Sequence, residues 1–169
     1  CGAVEQLRWM SLNLRHVKTR WSVEVVLHHM TRYKVENKFA FIMRGVPGSR
    51  KTTTARFLAG ARGVIHAVDD YHTQDTGIFL WDDDKADEYY EKNFEAFVQS
   101  LDDGTGIVVC DCINITREEY FKYVQAARDR GYTTATVTMA APTPSQAAVA
   151  NQHDVSIEQI AEMYENWED

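Results

Sequence analysis

The chain has 169 residues, of which 44% are apolar and 25% are charged, and its formal net charge is −7. This length and composition are typical of one globular domain and exclude an intrinsically disordered chain. No stretch approaches the roughly 18 uninterrupted apolar residues of a membrane-spanning helix, so we expect no membrane span. With three cysteines and no signal peptide, we expect an intracellular, cytoplasmic protein in which Cys110 and Cys112 are buried thiols.

The charge is unevenly distributed along the chain. Residues 1–38 carry seven basic and three acidic side chains, whereas the rest of the chain carries 11 basic and 22 acidic ones. Because non-specific binding of long nucleic acids depends mainly on phosphate contacts, we expect such an acidic body to bind them weakly. A polyanionic substrate would have to be short, or be held by a few local cations.

Residues 1–37 are predicted to form an N-terminal helical extension. Neither Gly nor Pro occurs in residues 4–36, and apolar residues repeat there every three or four positions, at Leu7, Met10, Leu14, Val17 and Trp21. This stripe either packs on the domain's own core or docks a neighbouring domain or a protein partner. Because the chain begins at Cys1 instead of Met, we expect it to be a fragment of a longer protein.

Residues 38–169 alternate between predicted strands and predicted helices. The predicted strands cover residues 39–43, 64–68, 107–111 and 133–139. The predicted helices cover residues 52–59, 85–101 and 118–130, followed by a short helix capped by Ser145 and a last helix with a Ser156–Gln159 capping box. The acidic run 82–84 is predicted to cap a helix and not to bind metal. This alternation predicts an α/β fold, in which helices cover both faces of a parallel sheet.

The strongest chemical signal is the segment 45–52, GVPGSRKT, between a predicted strand and a predicted helix. It matches G-x-x-x-x-G-K-[ST], except that Arg50 occupies the second glycine position. Backbone N–H groups of such a loop cradle phosphate oxygens, Lys51 would reach the β- and γ-phosphates, and the Thr52 hydroxyl would hold Mg²⁺. The predicted nucleotide-binding residues are Gly45, Val46, Pro47, Gly48, Ser49, Arg50, Lys51, Thr52 and Thr53.

Carboxylates follow the next two predicted strands. Asp69 and Asp70 come after the second strand, and Asp111 ends the third. Ligands of open parallel sheets bind beyond the carboxyl ends of the strands. Asp69 is therefore placed to accept a proton from a substrate hydroxyl, and Asp111 to hold Mg²⁺ through water. The alternative is that these carboxylates only cap loops.

The motifs GVPGSRKTTTARFL, VDDYH, CDCIN and NQHDVS resemble those of the polynucleotide-kinase-like P-loop kinases, over about residues 38–168. The resemblance implies a P-loop kinase fold that uses Mg²⁺ with ATP or GTP. It implies that Lys51 and Asp69 are catalytic, with Asp69 as the general base, and that Asp70, His72 and Asn114 bind the substrate. The implied acceptor is a hydroxyl, such as the 5′-hydroxyl end of a short single-stranded polynucleotide.

Several positions depart from the family's pattern. His72 replaces a substrate-side arginine, Ile113 replaces a hydroxyl residue, and Arg50 replaces the loop glycine. In the segment 146–152, where the family carries lid arginines, the expected basic positions are Val149 and Ala150, and no Lys or Arg follows Arg130. An arginine at the transferring phosphate is worth about 10³–10⁵ in rate. Two hypotheses follow: a kinase, or a degenerate kinase that binds nucleotide weakly or not at all and serves as an interaction module.

Overall fold

The computed structural model describes residues 37–73, 76–140 and 142–169. The predicted helical extension over residues 1–37 lies, apart from Asn37, outside these ranges. The strands are β1 (Phe39–Arg44), β2 (Val64–His66), β3 (Ile107–Cys110) and β4 (Thr133–Thr138). The helices are α1 (Lys51–Ala59), α2 (Ala86–Asp102), α3 (Arg117–Asp129), α4 (Pro144–Ala150) and α5 (Ile157–Glu165). None of these described helices is long and apolar enough to cross a membrane.

The four strands form one parallel sheet in the order β2-β3-β1-β4. In its register, Phe41 of β1 lies opposite Val109 of β3 and Ala135 of β4. The central strands β1 and β3 are nearly continuous apolar runs because the side chains on both of their faces are buried. The structure therefore confirms the predicted α/β fold and its parallel sheet.

Helices cover both faces of the sheet. On one face, α2 and α3 bury Phe97 and Tyr123 against Ile42 and Val108. On the other face, Ala55 and Ala59 of α1 pack against Met43 and Val109. Alternate residues of β1 thus point into different cores, as the pleat of a strand requires. This two-sided packing fixes the carboxyl ends of the strands, from which the site residues project.

Most predicted boundaries agree with the structure to within one residue, and two features differ by more. β2 ends at His66, and Val68–Asp70 forms a short 3₁₀ turn instead of continuing the strand. The cap of α4 is Thr143, not Ser145, because Pro144 lacks an N–H and has the fixed φ that suits the first position of a helix. Ser156 caps α5 as predicted.

The acidic run lies at the start of a helix, as predicted. The Asp82 side chain accepts a hydrogen bond from the backbone N–H of Asp84 (3.1 Å), and a 3₁₀ turn over Asp83–Lys85 leads into α2. Negative charge at this end interacts favourably with the helix dipole. Cys110 and Cys112 are buried free thiols, which confirms that prediction too.

Candidate active site

The loop between β1 and α1 is held in shape by two features of Gly48. Its φ is +78°, a left-handed conformation that residues with a Cβ rarely adopt. A Cβ added at this position would also lie 2.4 Å from the carbonyl oxygen of Ala147 in α4. The Ser49 N–H donates to the Val46 carbonyl (3.2 Å) and closes the turn. We call residues 45–53 the phosphate loop.

Arg50 has the backbone conformation that glycine adopts easily. Its φ of 66° and ψ of 27° are left-handed, and it immediately precedes α1. For a residue with a Cβ this conformation costs roughly 1–2 kcal/mol. The Arg50 side chain is exposed and does not line the cavity described below. Arginine in place of the motif's glycine therefore preserves the shape of the loop without adding a cation to that cavity.

Lys51 folds back over the phosphate loop. Its Nζ donates to the Val46 carbonyl oxygen (3.0 Å). Burial lowers the pKa of Lys51, and the carboxylates of Asp111 and Asp69 partly oppose this effect. A phosphate anion placed beside the ammonium group would raise the pKa of Lys51 again, since an opposite charge favours the protonated form.

Asp111 lies directly beyond β3, with 6% of its surface exposed. Burial raises the pKa of this carboxyl group, while the Thr52 hydroxyl and the Lys51 charge act in the opposite direction. Its Oδ1 atom is buried and has no hydrogen-bond partner among the residues that the structure describes. A cation or a cation-bound water would satisfy such an oxygen, and carboxylate and hydroxyl oxygens are ligands that Mg²⁺ accepts. Thr52 and Asp111 therefore fit the predicted magnesium site.

A cavity of about 450 Å³ opens above the phosphate loop. This volume lies in the range of small-molecule sites. Of the predicted site residues, five line it, namely Pro47, Lys51, Thr52, Asp69 and Asp111. Several further residues that were not predicted as site residues also line it, among them Trp81, Asp83, Tyr90, His153 and Asp154. Lys51 is the only lysine or arginine among the described residues that line this cavity.

Asp69 is paired with a histidine. Its Oδ2 lies 3.3 Å from Nε2 of His153, which belongs to the loop between α4 and α5. The Phe79 ring packs against the imidazole, with ring centroids 4.0 Å apart. Sequence reasoning missed His153 as a site residue, although it lies within the motif NQHDVS. The available signal was that His153 is the only histidine after Arg130, in a stretch without Lys or Arg.

The loop that carries His153 is organised by the Asn151 side chain. Its Oδ1 accepts hydrogen bonds from the N–H groups of His153 (3.1 Å) and Val155 (3.0 Å). Its Nδ2 donates to the carbonyl oxygens of Ala148 (2.7 Å) and Val155 (3.1 Å). Asn side chains commonly shape loops by such local bonds. Asn151 thereby holds His153 at the cavity.

His72 lies outside this cavity. It is 3% exposed, its ring stacks on Trp81 at 4.2 Å, and its Nδ1 accepts a hydrogen bond from the Asp82 N–H (3.3 Å). The residue borders a separate cavity of about 650 Å³ on the other side of Trp81. Aromatic stacking, which a sequence motif does not reveal, determines this orientation.

Asp70 and Asn114 do not line the cavity either. Asp70 is exposed. Asn114 is buried, and its Nδ2 donates to the Met43 carbonyl oxygen (2.7 Å), so it supports the end of β1. A role for Asp70, His72 or Asn114 in binding the acceptor therefore remains a prediction.

A third cavity, of about 370 Å³, also borders the phosphate loop. It is lined by Gly45, Val46 and Ser49 from the loop, together with Thr138, Met139, Ala140, Tyr164 and Trp167. The Ser49 hydroxyl is buried, and no described residue forms a hydrogen bond with it. Three of the predicted nucleotide-binding residues therefore face this cavity and not the one that contains Lys51. Thr53 is exposed on α1.

Arg44, at the end of β1, is a buried cation that sequence reasoning also missed. Its guanidinium lies between the rings of Tyr120 (4.3 Å) and Trp167 (4.5 Å). It donates to the backbone carbonyl oxygens of Asn114 (2.9 Å), Ile115 (2.8 Å) and Glu168. Arg44 therefore ties the carboxyl-terminal residues to the loop after β3, and these contacts hold it away from the cavity.

Comparison with known proteins gives distant relatives. No model of a protein family matches the chain. YLP motif-containing protein 1 from Rattus norvegicus is 24% identical over 172 residues, which cover 87% of this chain and 12% of the relative, and the protein of that name from Mus musculus gives the same values. The chain thus spans only 12% of the length of these relatives.

Solved structures with a similar fold are P-loop kinases and related proteins. A chain of the Pnkp1/Rnl/Hen1 RNA repair complex has a TM-score of 0.60 and 14% identity, covering 80% of this chain and 46% of that one. A gluconokinase from Sinorhizobium meliloti 1021 has a TM-score of 0.55 and 20% identity (79% and 77% covered). Kti12 from Chaetomium thermophilum, in complex with ADP-AlF3, has a TM-score of 0.54 and 14% identity (77% and 80% covered). These similarities show the P-loop kinase type of fold.

Proposed function

We propose that this chain binds a magnesium nucleoside triphosphate, ATP or GTP, at the phosphate loop and transfers the γ-phosphate to a hydroxyl group. The observation that carries the proposal is the convergence of Lys51, Thr52, Asp69 and Asp111 on one cavity. These residues come from three different strand ends, so only the fold brings them together. A lysine, a magnesium-binding pair and a separate carboxylate are the groups that phosphoryl transfer uses.

Each of these residues has a distinct role in the proposed reaction. Lys51 leaves the Val46 carbonyl and binds the β- and γ-phosphate oxygens. Thr52 and Asp111 would hold Mg²⁺, which would supply positive charge beside those oxygens. Asp69 takes the proton of the acceptor hydroxyl while the acceptor oxygen bonds to the γ-phosphorus and the bond to the bridging β–γ oxygen breaks. The products are the nucleoside diphosphate and the phosphorylated acceptor.

The acceptor that we propose is the 5′-hydroxyl end of a short single-stranded polynucleotide. The motif resemblance supports it, and a protein from an RNA repair complex is among the similar structures. The charge of the cavity limits how much of a polyanion can enter. Among the described residues, it is lined by four aspartates and one lysine, namely Asp69, Asp83, Asp111, Asp154 and Lys51, so additional phosphates would be repelled. We therefore expect only the terminal nucleoside to enter, with the phosphodiester chain outside.

A second candidate function is a degenerate kinase that binds nucleotide without transferring phosphate and acts as an interaction module of a larger protein. The observation that favours it is the absence of arginine among the described residues that line the cavity. Val149, at a position where the family carries a basic residue, is 88% exposed on α4. In this case loop amides and Lys51 suffice for affinity, and the exposed face of α4 is free to contact another protein.

Calorimetry with Mg-ATP and Mg-GTP tests the first step. We expect binding by the parent and a loss of most of the affinity in Lys51→Ala. Lys92→Ala serves as a matched control, because Lys92 is exposed on α2 and pairs with Glu88. Equal affinity in the parent and Lys51→Ala, or none in the parent, contradicts the proposed site.

Labelled ATP separates the two candidate functions. The acceptors are 5′-hydroxyl RNA and DNA oligonucleotides, nucleosides and small alcohols. Transfer to an oligonucleotide end supports the proposed kinase, and transfer to a small alcohol alone refutes the polynucleotide acceptor. Nucleotide binding without transfer to any acceptor supports the interaction module.

A further inference from the structure

The contact between Asp69 and His153 joins the acceptor side of the cavity to the loop between α4 and α5. Asp69 retains 51% of its side-chain surface and His153 retains 31%, so a ligand in the cavity can reach both. The Nε2 atom of His153 faces the carboxylate at 3.3 Å. Its Nδ1 atom is buried and has no hydrogen-bond partner within residues 37–73, 76–140 and 142–169.

The contact with Asp69 favours one arrangement of the imidazole proton. An ionised carboxylate only accepts hydrogen bonds, so a hydrogen on Nε2 would make the 3.3 Å contact favourable. In a neutral ring the other nitrogen, Nδ1, would then carry no hydrogen. Phe79 on the ring and Asn151 on the backbone limit rotation of the ring and movement of the loop. The histidine is thus oriented before any ligand binds.

The segment that carries His153 is also packed on the phosphate loop. Ala147 and Ile160, from α4 and α5, form a buried cluster with Val46. Any displacement of α4 and α5 would therefore disturb the phosphate loop as well as the contact with Asp69. The position of Asp69 is in this way coupled to the integrity of the nucleotide site.

We propose that His153 is a positioning residue for Asp69, which it orients by donating a hydrogen bond from Nε2. This inference rests on the proposed function. His153 would therefore change the rate of proton transfer from the acceptor and leave nucleotide affinity unchanged.

A double-mutant cycle on transfer tests the positioning role. We expect His153→Ala to lower kcat at least about tenfold without changing the Kd for Mg-ATP, and His153→Gln, which keeps a donor, to recover part of the loss. On the Asp69→Asn background, His153→Ala should cause no further loss, because the two residues act as one unit. The control is His66→Gln, since His66, at the end of β2, bonds to Ser100 of α2 and does not line the cavity. Additive losses, or a raised Kd for Mg-ATP in His153→Ala, overturn the proposal.

Long-range ¹H–¹⁵N spectra of the imidazole test the pairing without any transfer reaction. At pH 7.5 we expect hydrogen on Nε2 of His153, and an altered Nε2 shift in Asp69→Asn. The pairing is overturned if Nε2 carries no hydrogen, or if its chemical shift is the same in the parent and in Asp69→Asn. Either result overturns it even if phosphate transfer is intact. A parent protein that shows the expected pairing but phosphorylates no acceptor overturns the proposed function and not the pairing.

Discussion

Gly48 and Ala147 bring the phosphate loop and α4 into backbone contact. A methyl group on Gly48 would lie 2.4 Å from the Ala147 carbonyl oxygen. The close approach of the two backbones means that each segment limits the position of the other. α4 itself is held by Thr143 at its start and by Asn151 at its end. The position of the phosphate loop therefore also depends on a helix about 100 residues further along the chain.

Gly48→Ala should destabilise the protein more than Gly131→Ala. Both glycines have nearly the same φ, 78° and 77°, so both variants lose roughly 1–2 kcal/mol to left-handed strain. Only at Gly48 does the new Cβ meet backbone, since nothing lies within 4 Å of it at Gly131. Denaturant unfolding of the two variants measures the difference. Equal losses would show that α4 does not lie on the loop.

Arg50→Gly should stabilise the protein slightly and cost no activity. Relief of left-handed strain contributes roughly 1–2 kcal/mol, and the greater freedom of glycine in the unfolded chain offsets about 0.4–1 kcal/mol of it. The exposed side chain does not reach the Lys51 cavity, so we expect equal or tighter ATP binding. The measurements are thermal unfolding and phosphate transfer. A tenfold fall in rate, about 1.4 kcal/mol, would mean that Arg50 acts on the phosphates.

Asp111→Asn should raise stability at neutral pH while weakening Mg-ATP binding. Burial raises the pKa of Asp111 in the folded protein, so above that pKa the ionised carboxylate opposes folding. The neutral amide of asparagine removes this unfavourable contribution, so the variant should be more stable than the parent at neutral pH. The difference in stability should decrease as the pH falls through the raised pKa, because Asp111 in the parent then becomes neutral as well. Tm values at pH 7.5 and 4.5 and calorimetry with and without Mg²⁺ check both effects.

Asp102→Asn provides a control of opposite sign for that experiment. A hydrogen bond from Arg130 lowers the pKa of Asp102, so its ionised form favours folding. This variant should lose stability at neutral pH, and the loss should disappear as the pH falls through the lowered pKa. A loss of stability in Asp111→Asn would contradict the role of burial at Asp111. A gain of stability in Asp102→Asn would contradict the stabilising effect of the Arg130 hydrogen bond.

Asp69→Asn should remove most of the transfer rate and leave ATP affinity nearly unchanged. In the proposed reaction Asp69 acts only on the acceptor hydroxyl, so its loss affects chemistry and not nucleotide binding. Single-turnover transfer and calorimetry separate the two effects. If instead Asp69→Asn abolishes the Mg²⁺ dependence and Asp111→Asn does not, the roles of the two carboxylates are reversed.

Local signals in the sequence determined the fold and the position of the phosphate loop. Alternating apolar runs and capped helices predict a parallel sheet, and the segment from Gly45 to Thr52 carries its own loop geometry. The placement of Asp69 and Asp111 at the same cavity was predictable because parallel strands have their carboxyl ends at one edge of the sheet. Each of these inferences uses only neighbouring residues and one rule of topology.

Only the tertiary structure decided which further side chains meet those residues. His72 follows Asp69 by three positions yet turns away, because it stacks on Trp81. His153 lies 84 positions from Asp69 and is brought to it because Val46, Ala147 and Ile160 form one buried cluster. Such contacts depend on how side-chain volumes fill the space between helices, and no local pattern of residues encodes that packing.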